Sequence, residues 1–102
     1  MENKELPIAC SLTDVELQAR RQGLLRKVKT AVVETKELAD GYAYQLPASD
    51  PWLLELANLV NLERQCCPFL TLRITVEPGN GPLWLELTGP TGTKEFLAAI
   101  FD

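Results

Sequence analysis

The stretch LTLRITVEPGNGPLWLELT, residues 70–88, alternates apolar and polar side chains on both sides of a Pro-Gly-Asn-Gly-Pro turn. Leu70, Leu72, Ile74 and Val76 fall on one face of its first half, with Thr71, Arg73, Thr75 and Glu77 on the other. On the return, Leu83, Leu85 and Leu87 alternate with Trp84, Glu86 and Thr88. A period of two is that of a strand with one buried face. The segment therefore predicts an antiparallel hairpin whose leucine side faces a core.

The rest of the chain supplies what that face packs against. Thr13-Asp14-Val15-Glu16 fits a capping box opening a helix over about 14–30, with Leu17, Leu24, Leu25 and Val28 as its buried stripe. Arg26, Lys27 and Lys29 close that helix as its dipole favours. Two β-rich runs, 31–38 and 42–46, flank Asp40-Gly41 and predict a second hairpin. Ser49-Asp50-Pro51 starts another helix, which ends at Cys66 or Cys67 because Pro68 disfavours helical geometry in the residue before it. Thr93 caps a short closing helix to Phe101. The order is α-β-β-α-β-β-α, which predicts an α+β fold: a four-stranded, mainly antiparallel sheet with helices mostly on one face. The 102 residues make one domain, 1–102, with about the first seven expected to be flexible.

Composition narrows the function classes. Hydrophobic residues at 46% and charged ones at 24% exclude a wholly disordered chain. No apolar run approaches the roughly 18–20 residues of a membrane span, and the N-terminus shows no secretory pattern. The formal charge of −4 argues against nucleic acid or an anionic membrane as partner. A cytoplasmic location is expected. Gly89-Pro90-Thr91-Gly92-Thr93-Lys94 lacks phosphate-loop spacing and reads as a turn.

The residues able to carry chemistry gather at the end of the second helix. On a helical wheel Trp52, Leu53, Leu56, Leu59 and Val60 define an apolar face. Glu63 falls near its middle, with Cys66 and Cys67 on either side. An unpaired carboxylate buried there would cost several kcal/mol, about the penalty of any isolated buried ion. Two readings remain open. In one, Glu63 meets Arg21, which interrupts the stripe of the first helix, as a buried ion pair that fixes register. In the other, Cys10, Cys66 and Cys67 converge and Glu63 joins them as ligand to a thiophilic ion such as zinc or copper(I).

A cysteine-dependent hydrolase is disfavoured. The paired thiols stand at a helix C-terminus, where the dipole opposes a thiolate, and the chain has no histidine to act as base. The reading leans against an enzyme and assigns no catalytic residue. A cytosolic setting also argues against lasting disulfides, and three cysteines cannot all pair within one chain. Trp84 and Arg73, on the less covered sheet face, are the candidate interface of a homodimer. There the cysteines would be core residues alone.

Three segments, Ile8-Ala9-Cys10-Ser11-Leu12-Thr13, Glu63-Arg64-Gln65-Cys66-Cys67-Pro68-Phe69-Leu70 and the run from Gly81 to Pro90, resemble a family of small bacterial proteins of uncharacterised function. The resemblance implies a bacterial origin and carries no activity, substrate or cofactor with it. It sets Cys10, Glu63, Cys66 and Cys67 within the matching stretches.

Overall fold

A computed structural model of the chain describes residues 8–9 and 11–101. Its elements are α1 (Val15–Ala31), β1 (Glu34–Leu38), β2 (Gly41–Leu46), α2 (Trp52–Cys66), β3 (Thr71–Val76), β4 (Leu83–Thr88) and α3 (Thr93–Phe101). The strands form one antiparallel sheet in the order β1-β2-β4-β3. This is the expected α+β architecture, built of two helix–hairpin units and a closing helix. No helix of the described residues is long and apolar enough to cross a membrane.

Pairing register decides the faces. Tyr42, Tyr44 and Leu46 of β2 stand opposite Leu87, Leu85 and Leu83 of β4. Those three leucines are buried, as are Tyr44 and Leu46. The helices close this face. Leu56 and Leu59 of α2 and Leu25 and Val28 of α1 join its apolar cluster. Phe101 of α3 stacks on Tyr44 at 4.4 Å, and Phe96 meets the edge of Phe69 at 5.2 Å. Aromatic pairs at such separations add about 1 kcal/mol beyond the area they bury.

Local signals and structure differ at several points. Asp14, one residue later than the capping box predicts, is the N-cap of α1, and its carboxylate accepts from the Leu17 amide. Helix α2 begins after Pro51 without a side-chain cap. The hydroxyl of Thr93 lies buried with no hydrogen-bond partner, so it caps nothing. The turn between β1 and β2 is Ala39-Asp40, and Gly41 already pairs with Leu38 and Thr88. Gly79 and Asn80, at φ of 67° and 57°, make the left-handed pair at the tip of the other hairpin.

The buried face of α2 is also rotated from the wheel. Leu56, Leu59, Leu62, Glu63 and Cys66 are buried, whereas Leu53 is 44% exposed and Trp52 is half-buried. The helix leans its C-terminal half into the core, and its first turn stays at the rim. On α1, Arg21, Leu25 and Val28 are the buried residues, while Leu17 and Leu24 are half-buried.

Candidate functional site

The α1–α2 contact brings Arg21 onto Glu63. Both stand on the inward stripe of their helices, and both are nearly inaccessible, at 7% and 1% exposure. Arg21 Nε donates to Glu63 Oε2 at 2.5 Å and Nη2 to Oε1 at 3.2 Å, a two-pronged charge-assisted contact. Burial alone would lower the Arg21 pKa, but the hydrogen bond and charge of Glu63 carry it above the ordinary arginine value. The carboxylate in the apolar stripe thus has its counter-ion on the neighbouring helix.

Cys67 is the third member. Helix α2 ends at Cys66, and Cys67 leaves helical geometry at φ −121° and ψ 74°, as the following proline requires. Its amide still reaches the Glu63 carbonyl at 2.6 Å. The thiol lies 3.8 Å from both Glu63 Oε1 and Arg21 Nη2, donating to the first and accepting from the second. Burial first, then the adjacent carboxylate, push this thiol from 9.0 up to about 12, against the opposing pull of Arg21. Cys67 is therefore a neutral, shielded thiol over the physiological range.

Cys66 has a different fate. It is buried and disulfide-bonded, while Cys67 is a free thiol. The structure thus contains a disulfide at a cysteine for which the sequence predicts no bridge. Cys10 lies outside the described residues. Its neighbour Ser11 is described, and it sits on the end of α2. The Ser11 amide donates to the Cys66 carbonyl at 2.6 Å, and its hydroxyl donates to the Gln65 carbonyl at 3.1 Å. These are carbonyls a helix C-terminus leaves without an intrahelical donor. Sequence reasoning assigned Ser11 no part, and a lone serine before a helix carries no signal that it will satisfy the end of another.

The proposed ligand set is not assembled by the described residues. Glu63 is committed to Arg21, the sulfur of Cys66 is tied in a disulfide, and no group of three His, Cys, Asp or Glu residues among those described could hold a metal ion. Trp84 and Arg73 lie on the outer sheet face, away from this cluster. Register sets Trp84 beside Gln45 and Thr75, and Arg73 beside Glu86. Lys36 Nζ lies 4.6 Å over the Trp84 ring, and between their strands Ala43 is only 5% exposed. The indole thus has an intramolecular contact on a face that no helix of the described residues covers. Protein-family models, curated proteins and solved structures give no match to this chain.

Proposed function

We propose that this protein works in thiol–disulfide chemistry through Cys10 and Cys66, joined to each other as a disulfide, with Cys67 beside them as a thiol that does not exchange. The observation that carries the reading is the division of adjacent cysteines into one disulfide-bonded residue and one shielded thiol. With three cysteines in the chain and Cys67 free, Cys10 is the remaining partner within it. The Ser11–Cys66 backbone bond supports that pairing, because it holds the following residue against the end of α2.

The chemistry is two-electron exchange. The thiolate of a small external thiol attacks one sulfur of the bond and forms a mixed disulfide, releasing the other sulfur as a thiolate that takes up a proton. A second external thiolate then displaces the protein sulfur. The products are two protein thiols and one external disulfide. Cys66 is buried, which disfavours direct attack on its own sulfur. Cys67 stays out of the exchange: its proton is held by burial and by Glu63, and thiolate is the attacking species. In the cytoplasm, the compartment proposed with this reading, such a bond is transient and tied to the redox state.

Differential alkylation with peptide mass spectrometry tests it. Oxidised protein, unfolded and alkylated, should carry one label, on Cys67, and yield a peptide joined through Cys10 and Cys66. Protein equilibrated with a graded glutathione couple should gain two further labels together. Three labels under every oxidising condition, or a bridge that includes Cys67, overturns the proposal.

A further inference from the structure

The two edges of the sheet are built differently. Edge strand β1 carries three charges, Glu34, Lys36 and Glu37, all exposed, which is how natural sheets discourage edge pairing. The other edge, β3, carries only Arg73. On its core-side face Leu72 and Ile74 are half-buried and Val76 is 56% exposed, so the helical layer covers this strand only in part. Among the described residues no element pairs with its outer edge.

We propose that this edge receives β3 of a second copy, antiparallel across a two-fold axis, joining two four-stranded sheets into one. The residues select the register. An axis through Thr75 sets Thr75 against Thr75, Ile74 against Val76 and Arg73 against Glu77 of the second copy. Opposite charges then pair directly, and the apolar face of each strand continues into that of the other. Moving the axis to Ile74 would leave Arg73 diagonal to Arg73 of the second copy, and moving it to Arg73 would set the two face to face, a like-charge pair. Two-fold symmetry makes each contact twice. Main-chain hydrogen bonds supply attraction, as in other strand-addition contacts. The net charge of −4 on each copy is largely screened beyond about 8 Å at physiological salt.

Light scattering on a size-exclusion column, with amide hydrogen exchange across a concentration series, decides the matter. The wild-type chain should show twice the mass of one chain, and the amides of Thr71–Val76 should gain protection as concentration rises. Val76→Lys and Ile74→Lys should each give a folded particle of half that mass. Val76 is exposed enough to tolerate the change, so it decides alone if Ile74→Lys does not fold. A monomer at every concentration overturns the proposal, as does a dimer that persists in folded Val76→Lys. The strand register and the disulfide rest on different residues, so either can fail without the other.

Discussion

Glu63 is held by Arg21 through two nitrogens, at 2.5 and 3.2 Å, inside the contact between α1 and α2. Forty-two residues separate them in the chain. The pair therefore specifies which turn of one helix meets which turn of the other. Its contribution to stability is another matter, since both ions had to leave water.

That distinction yields a mutational test. Glu63→Gln or Arg21→Met leaves one charge buried without its counter-ion, and each should cost about 3–5 kcal/mol. The double change Arg21→Met with Glu63→Leu removes both charges and retains apolar volume, and it should recover most of that loss. Urea unfolding of the four proteins measures the cycle. Single and double changes that add independently would show the two residues uncoupled.

Cys67 makes stability depend on alkaline pH, with a definite sign. Its folded pKa is raised from 9.0 to about 12, because burial and the Glu63 carboxylate disfavour the thiolate. Below about pH 9 the thiol is protonated in both folded and unfolded chains, and this stabilising contribution is fully present. Above that, the unfolded chain loses the proton while the folded one keeps it, so stability falls as pH rises through the interval to about 12. Cys67→Ala should flatten this limb, read by melting temperature across an alkaline series. In the native wild type, the alkylation rate at Cys67 should still be climbing above pH 9, where an ordinary thiol would have levelled off.

How far these features were legible in the sequence follows from how local their causes are. The period of two in residues 70–88 placed β3 and β4, because alternation is a property of the strand itself. Pro68 placed the end of α2 by local sterics. The inward side of α2 was harder: Leu53 and Leu62 have the same chemistry on opposite sides of the helix, and the rotation of the helix in the fold decided which was buried. Glu63 stood out as a charge in an apolar stripe, and Arg21 was nameable as its partner because it interrupts the facing stripe in the same way. The disulfide at Cys66 was not legible, since a sulfur's partner depends on where distant segments lie.

Trp84 shows the same limit on the outer sheet face. An indole on an open strand predicted a partner chain and gave no sign that Lys36 of the far strand would lie over its ring, at 4.6 Å. Two strands apart, that contact arises because Ala43 between them is small. Lys36→Met should remove the cation–π attraction, about 0.5–1 kcal/mol at an exposed site. It keeps much of the apolar cover over Ala43, so the loss should stay at the lower end. In a Trp52→Phe background, Trp84 fluorescence should become more easily quenched by iodide in Lys36→Ala than in Lys36→Met. Equal quenching in both would show that Lys36 does not cover the ring.

Gly41 gives the sharpest steric prediction. An Asp-Gly pair suggests a glycine chosen for a left-handed turn, but the positive-φ glycines are Gly79 and Gly92. Gly41 is a paired strand residue opposite Thr88, and a Cβ there would fall on the carbonyl of Leu87. The obstacle is backbone in the central β2–β4 pairing, which cannot swing aside as a side chain would. Gly41→Ala should therefore cost about 3 kcal/mol, the upper end of ordinary overpacking, although alanine usually stabilises a chain where glycine is replaced without strain. Gly23, on α1, has nothing within contact distance of a built Cβ, so Gly23→Ala should stabilise by about 0.5–1 kcal/mol. Melting temperatures of the two variants should move in opposite directions. A Gly41→Ala protein as stable as wild type would mean that β2 and β4 are less closely apposed at Leu87 than this register requires.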